Sequence, residues 1–192
     1  HNLGELVDAV QHLIENPEAT SMDLANFVKG PDFPTGGTIY GQESIRTAYG
    51  TGKGGVVVRA KAEILEDKKG NFQIIISEIP YQVNKSTLVE KIAELHKEKR
   101  IVGIADLRDE SSRDGMRIVI ELKKDSYPNK ILNQLYKLTP MQTTFHFNML
   151  ALVDGIQPRI LNLEMMLREY LKHRQVVVRR RTEFELRKAK AR

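Results

Sequence analysis

Residues 72–98 constrain the fold of this chain more than any other segment. The first eight, Phe72–Ile79, are rich in isoleucine, and β-branched side chains fit a pleated, half-buried surface better than a helix. Pro80 has no N–H to donate and ends the predicted strand. Asn84 then caps a helix with apolar residues at helical spacing, namely Leu88, Ile92 and Leu95. Because one face of that helix must be buried, the sequence predicts a sheet with helices packed on it.

Local patterns predict the other elements. Helices are expected at residues 3–15, 20–28, 42–49, 85–100, 128–138 and 163–192. Strands are expected at residues 38–40, 56–64, 102–107, 116–122, 145–153 and 156–161. Turn residues join consecutive strands and indicate antiparallel hairpins at Asp67–Asn71, Asp114-Gly115 and Asp154-Gly155. The predicted class is α+β, with a mainly antiparallel sheet and packed helices.

A long C-terminal helix is predicted because no Gly or Pro interrupts the thirty residues from Leu163. At about 1.5 Å per residue it extends about 45 Å, longer than a domain helix needs to be. An apolar seam recurs roughly every 3.5 residues, with Arg174 and Arg181 at intervening positions. The seam residues are Leu163, Leu167, Tyr170, Val177 and Phe184. We therefore predict one domain over residues 1–162 and a protruding coiled-coil helix over residues 163–192, which pairs with another helix.

Composition narrows the functional class. No apolar run approaches the roughly 18 residues of a membrane helix. The chain has no cysteine, which excludes disulfides and cysteine-ligated zinc and fits a reducing, cytoplasmic location. Residues 163–192 hold ten Lys/Arg against four Asp/Glu, whereas the other residues hold twenty against twenty-one. Attraction to polyanions is therefore expected mainly at the C-terminal helix.

The residue patterns do not predict a self-contained active site. Residues 50–55 read Gly-Thr-Gly-Lys-Gly-Gly, but a phosphate-binding P-loop needs a preceding strand, a following helix and a terminal Lys-Ser/Thr. Arg108 and Arg113 lie among the densest acidic group, so a self-paired loop is favoured there over a Mg²⁺ site. The acidic residues are Asp106, Asp109, Glu110 and Asp114. The five histidines share no metal-ligand spacing, so no metal is assigned.

Four basic residues are candidate DNA contacts. Arg59 and Lys61 are expected on one strand, and Arg117 and Lys123 on another, so that all four line one face of the sheet. Lys and Arg at strand spacing can neutralise phosphates of a duplex. The alternative is an ordinary solvated face, which antiparallel sheets often keep. Both interpretations stay open from these residues alone.

Four sequence blocks resemble a known family over nearly the whole chain. They are GPDFPTGG at 30–37, EIPYQVNK at 78–85, LRDES with DGMRIVI within 107–120, and RRRTEFELRKA at 179–189. In this order and spacing they resemble the A subunits of DNA gyrase, a type IIA topoisomerase. The closely similar subunit of topoisomerase IV is the runner-up. One departure is His146-Phe147, where the family pattern has a glycine and a small aliphatic residue.

The resemblance implies a place in a larger enzyme. Residues 1–162 would be the tower domain and residues 163–192 the outgoing helix of the coiled-coil arm. The parent would break, pass and reseal double-stranded DNA as an A₂B₂ assembly of two A and two B subunits. ATP and Mg²⁺ would be bound by the B subunit, with no cofactor in this chain. The competing class is a protein-interaction module that meets no DNA.

The same resemblance bears on catalysis. The family's nucleophile is a tyrosine that directly follows an arginine, and no tyrosine here follows an arginine. The tyrosines are Tyr40, Tyr49, Tyr81, Tyr127, Tyr136 and Tyr170. The chain also opens on histidine without an initiator methionine. We therefore expect a fragment that begins downstream of the catalytic tyrosine and is inactive alone.

Overall fold

The structure, a computed structural model, describes residues 1–67 and 70–192. Lys68 and Lys69, in the middle of the predicted Asp67–Asn71 turn, lie outside the described residues. The helices are α1 Leu3–Glu15, α2 Ser21–Leu24, α3 Gln42–Thr51, α4 Lys85–Lys97, α5 Pro128–Leu138 and α6 Leu163–Lys190. The strands are β1 Thr38–Tyr40, β2 Lys53–Arg59, β3 Lys61–Glu66, β4 Phe72–Glu78, β5 Ile104–Asp109, β6 Ile118–Leu122, β7 Gln142–Asn148, β8 Leu150–Val153 and β9 Gln157–Ile160. The predicted α+β class is confirmed.

The chain divides into two compact units. The helical unit comprises His1–Pro31, Gln42–Gly55 and His146–Arg192. The sheet unit comprises Asp32–Gly41 and Val56–Phe145. The division into a domain at 1–162 and an arm at 163–192 stays a prediction about the parent enzyme.

The core of the sheet unit lies on a four-stranded antiparallel sheet. Its strand order is β3-β4-β6-β5. Isoleucines of β4 and β6 pack beneath α4 and α5, and burial of each contributes roughly 1.5–3 kcal/mol. The fully buried residues of this layer include Ile74, Ile76, Ile118, Ile120, Leu88, Ile92, Leu95 and Leu135. The strand, turn and helix predicted over residues 72–98 thus form the centre of this unit.

Helix α4 begins and ends through local hydrogen bonds. At its start, the Asn84 side chain accepts the Thr87 N–H at 3.1 Å, as predicted. At its end, Lys99 adopts a left-handed φ of 61°. The Leu95 carbonyl then accepts the N–H groups of Arg100 and Ile101 at 3.0 and 3.2 Å. The helix therefore stops three residues before the predicted boundary, because the chain turns back over its last carbonyls.

Two predicted strands are each divided in two. Ala60 separates β2 from β3, which belong to different sheets, β1-β2-β7 and β3-β4-β6-β5. Its N–H donates to the carbonyl of Met141, the residue before β7, at 2.7 Å. Met149 separates β7 from β8, and its N–H donates to the Gly52 carbonyl at 2.9 Å. The prediction of continuous strands at 56–64 and 145–153 is therefore wrong. The hairpin at Asp154-Gly155 is confirmed by the antiparallel pairing of β8 with β9.

The helical unit is organised around small and apolar residues of α1, α2, α3 and α6. A capping box starts α2, in which Thr20 and Asp23 bond each other's backbone N–H groups. The helix has only four residues, shorter than predicted. Phe147 is buried, and its ring centroid lies 5.8 Å from that of Tyr49. The aromatic departure from the family pattern therefore fills core space. Other buried residues are Ala9, Leu13, Leu24, Ile45, Ala48, Leu163 and Leu167.

Helix α6 changes character along its length. Asn162 caps it by accepting the Met165 N–H at 2.8 Å, and Leu163 and Leu167 are buried. Every residue from Val178 to Arg192 is exposed, including three with large apolar side chains, Val178, Phe184 and Leu186. Packing therefore stabilises the first turns, whereas residues 178–192 are stabilised only by interactions within the helix. None of the helices among the described residues has the length and apolar character needed to cross a bilayer.

Hydrogen exchange is expected to divide α6 at about Val177. A helix without a packed face is marginal in water, and exposed elements open at low free-energy cost. Amides beyond Val177 should exchange at least about a hundred times faster than those of β4. Exchange in dilute solution, followed by NMR, measures both sets in one sample. Equal protection of the two sets would show that residues 178–192 pack against another surface.

Candidate nucleic-acid interface

Arg59, the last residue of β2, is held between two aromatic rings. Its guanidinium carbon lies 4.4 Å from the Tyr40 ring centroid and 5.0 Å from the Tyr136 ring centroid. A cation at such distances is attracted to the face of a ring. Its Nε also donates to Oε1 of Gln142 at 2.6 Å. The side chain is therefore fixed in one orientation before any ligand binds.

The Tyr136 ring is itself anchored. Its hydroxyl donates to the Ala60 carbonyl at 3.1 Å, and burial raises the pKa of Tyr136, so the hydroxyl stays protonated as a donor. Sequence reasoning missed Tyr40 and Tyr136 as partners of Arg59. Neither lies near Arg59 in the sequence, and the only available signal was the general affinity of arginine for aromatic faces.

Lys61, the first residue of β3, faces a carboxylate. Its Nζ lies 3.7 Å from Oε1 of Glu78, the residue directly opposite in the antiparallel register. Arg59 and Lys61 were predicted on one strand, but the break at Ala60 places them in different strands and different sheets. The Lys61 charge is thus partly neutralised within the protein.

Glu78 also fixes the glycine-rich loop that precedes β1. Its Oε2 accepts the Gly37 N–H at 2.6 Å, and a Cβ on Gly36 would overlap the carboxylate. Gly36 and Gly37 both have positive φ, at 70° and 93°, a region that side chains disfavour. Phe33 stacks on Tyr81 with ring centroids 5.4 Å apart. Two of the four sequence blocks, at 30–37 and 78–85, are therefore in contact.

Arg117 directly precedes β6 and belongs to a network of paired charges. Its Nε lies 3.1 Å from Oε2 of Glu110, and Arg108 bonds the other oxygen of the same carboxylate at 3.1 Å. Hydrogen bonds from Arg117 and then from Arg108 lower the pKa of Glu110. Arg108 also reaches Asp106 and Glu121 at 2.6 and 2.8 Å. The predicted self-pairing of this acidic loop is confirmed for Asp106 and Glu110.

Asp109 pairs outside this network, with Lys85 at the first turn of α4. The Lys85 Nζ lies 2.6 Å from its carboxylate, and the Ser111 N–H donates to the same group at 3.0 Å. The Lys85 ammonium, followed by Ser111, lowers the pKa of Asp109 to about 2.

Across residues 1–67 and 70–192, no three His, Asp or Glu side chains are grouped so that they could hold a metal ion.

The four predicted DNA contacts do not form one surface. Lys61 and Arg117 lie at the same end of the four-stranded sheet, as the pairings of Lys61 with Glu78 and Ile76 with Ile118 show. Lys123 follows the other end of β6, about 20 Å from Arg117 at about 3.3 Å per residue. Val119, between them on the predicted solvated face, is only 1% exposed. The expectation that the four residues line one solvated face is wrong in its geometry, and their contact with DNA stays a prediction.

Comparison with known proteins identifies the family. A sequence profile for the DNA gyrase/topoisomerase IV A subunit matches residues 1–192. The chain belongs to this family. It is 62% identical over 192 residues to the DNA gyrase A subunit of Clostridium acetobutylicum, which covers 100% of the chain and 23% of that relative. Over 192 residues it is 56% identical to the DNA gyrase A subunit of Halalkalibacterium halodurans, again 100% of the chain and 23% of the relative.

A third relative comes from another bacterium. The chain is 53% identical to the DNA gyrase A subunit of Pseudomonas aeruginosa over 194 residues, which is 100% of the chain and 21% of the relative. The chain thus spans less than a quarter of the length of these DNA gyrase A subunits. The family resemblance carried by the four sequence blocks is confirmed.

The Asp109–Lys85 pair gives this family member a pH-dependent contribution to stability. The folded-state pKa of Asp109 is depressed, so the pair stabilises the fold above the ordinary value of about 3.8. The contribution is lost as the pH falls from about 4 through about 2. Asp109→Asn should therefore lower the free energy of unfolding at neutral pH by up to about 1 kcal/mol, a partly screened surface-pair magnitude.

Thermal unfolding at neutral pH and at about pH 2 checks this expectation. The matched control is Asp32→Asn, because Asp32 is exposed and has no ion pair within the described part of the chain. An Asp109→Asn deficit that persists unchanged at the acid end would contradict the assignment of the stabilising charge.

Proposed function

We propose that this chain is the tower and outgoing arm helix of a DNA gyrase A subunit. Its role is mechanical and electrostatic, because it supports the gate duplex beside the cleavage site and carries the arm that leads to the exit gate. The observation that supports this proposal is the family match over all 192 residues. The names of the relatives favour gyrase over the topoisomerase IV alternative.

The parent enzyme in this proposal is an ATP-hydrolysing type II topoisomerase, an isomerase of DNA located in the cytoplasm. Its A subunits pair with each other and with B subunits in an A₂B₂ assembly, and the B subunits bind ATP and Mg²⁺. It breaks both strands of one duplex, passes a second duplex through and reseals the first. Chemistry at a tyrosine after an arginine is assigned to another part of the parent chain. No tyrosine of this chain follows an arginine.

The sheet unit has the properties that a DNA support needs. Its central strands are buried on the helix side, and its loops are held by hydrogen bonds and ion pairs such as Glu78–Gly37 and Lys85–Asp109. A support of this kind resists deformation when a bent duplex presses on it, because close-packed cores have low compressibility. Surface cations then contact phosphates without reading sequence.

A second candidate function, a protein-interaction module without DNA, is favoured by one observation. Helix α6 exposes large apolar side chains beyond its packed first turns, namely Tyr170, Val176, Val178, Phe184 and Leu186. Exposed apolar residues on a long helix suit pairing with another helix. In the first proposal these residues belong to the arm. In the second they are the whole function.

Duplex binding distinguishes the two functions. If the chain supports DNA, it should bind a 30-base-pair duplex weakly and without sequence preference. The logarithm of the association constant should then fall linearly with the logarithm of salt concentration, by about 0.9 for each phosphate contact. Fluorescence anisotropy with two unrelated sequences measures this slope. The absence of salt-dependent binding would leave the interaction module as the function.

The chain alone is expected to have no topoisomerase activity. It should neither nick nor relax supercoiled plasmid, with or without B subunits, ATP and Mg²⁺, because the proposal assigns the nucleophile elsewhere. Gel electrophoresis after protease and detergent treatment checks this, with intact gyrase as the positive control. Covalent attachment of DNA to any tyrosine of this chain would overturn the assignment.

A further inference from the structure

A basic surface lies where α4 ends and α5 begins. Six exposed cations and two exposed acids lie in segments 97–100 and 123–125 and in the first turn of α5. The cations are Lys97, Lys99, Arg100, Lys123, Lys124 and Lys130. The acids are Glu98 and Asp125. Sequence analysis singled out only Lys123 from this set.

Arg100, Lys123 and Lys130 line one groove of about 400 Å³. We call it the α4–α5 groove. Asp125, Ser126 and Tyr127 also form part of its lining, and 76% of the Tyr127 surface is exposed. The three cations come from three different segments, the loop after α4, the loop after β6 and α5, which line the same space.

Gly103 holds this groove in shape. Its carbonyl accepts the Lys123 N–H at 2.8 Å and the Ser126 hydroxyl at 3.0 Å, which ties the loop after α4 to the loop before α5. Its φ is 104°, and a Cβ there would lie 2.7 Å from the Ser126 Oγ. The Leu95 carbonyl fixes the Arg100 backbone from the other side. The groove is therefore preformed, which reduces the ordering cost of binding.

The groove cations differ in charge balance from two of the four predicted DNA contacts. Lys61 and Arg117 each have a carboxylate partner. Arg100, Lys123 and Lys130 have no ion pair with any residue in the ranges that the structure describes. Glu94, near Arg100, is itself paired with Lys91. An anion that enters the groove meets cations that need not first break an internal pair.

We propose that the α4–α5 groove binds consecutive phosphates of one strand of duplex DNA, with Arg100, Lys123 and Lys130 as the contacts. The proposal rests on the function proposed above, which brings a duplex to the sheet unit. Phosphate fits the lining, which has three cations and one acid, Asp125.

The test compares two charge-matched triple variants of the full chain. The groove variant is Arg100→Ala, Lys123→Ala and Lys130→Ala. The control removes three exposed cations outside the groove, by Lys29→Ala, Arg113→Ala and Arg159→Ala. Circular dichroism and thermal midpoints establish that both variants fold. The salt dependence of binding to the 30-base-pair duplex is then measured for each by anisotropy.

The groove variant should lose about 2.7 from the slope of log K against log salt, at about 0.9 for each of three contacts. The control should keep the slope of the unmodified chain. Equal slopes in the two variants would overturn the groove assignment while leaving the proposed function in place. Absence of duplex binding by the unmodified chain would instead remove the proposed function on which the groove assignment rests.

Lysine acylation gives a readout without substitutions. Bound duplex should protect Lys123 and Lys130 from an acylating reagent, while Lys29 keeps its reactivity, as measured by mass spectrometry of peptides. Unchanged reactivity of Lys123 and Lys130 in saturating duplex would contradict the proposal. So would protection by poly-glutamate at a salt concentration where duplex gives none, because that result assigns the groove to an acidic protein.

Discussion

Burial of the isoleucines of β4 and β6 against α4 and α5 is the interaction on which the sheet unit depends. Ile74, Ile76, Ile118 and Ile120 are fully buried in this layer. Because β4 and β6 are the two inner strands of their sheet, a cavity there would loosen contacts on both helices. A buried isoleucine reduced to alanine typically costs about 2–5 kcal/mol, a large share of the roughly 5–15 kcal/mol by which domains are stable.

The ends of these buried elements determine where the functional groups lie. Glu78 is the last residue of β4 and makes an ion pair with Lys61 of β3. Lys85 is the first residue of α4 and makes an ion pair with Asp109 of β5. Gly103 connects the loops at the other ends of α4 and β6. Close packing transmits position from the core to such loops. The charged side chains at the surface are thus placed by the apolar layer beneath them.

The sequence predicted the elements well where the signal is local. The strand before Pro80, the cap at Asn84 and the start of α5 at Pro128 follow from short-range chemistry. The break at Ala60 does not, because there the chain passes between two sheets with distant partners, and its own partner Met141 lies eighty-one residues away in a chain of 192. Sites depend on such distant pairs even more. The register that opposes Lys61 to Glu78, and the aromatic partners of Arg59, are properties of the fold.

Charge counted along the sequence and charge available in the fold therefore differ. The count assigns polyanion attraction to residues 163–192, with ten cations against four acids. Three of these cations, Arg179–Arg181, are consecutive on a helix, so they point about 100° apart and cannot meet one phosphate. In the α4–α5 groove, residues from separate segments of the chain line one space, which their order in the sequence does not show. We therefore expect the arrangement of unpaired cations in the fold, rather than their number along the chain, to determine where a phosphate backbone binds.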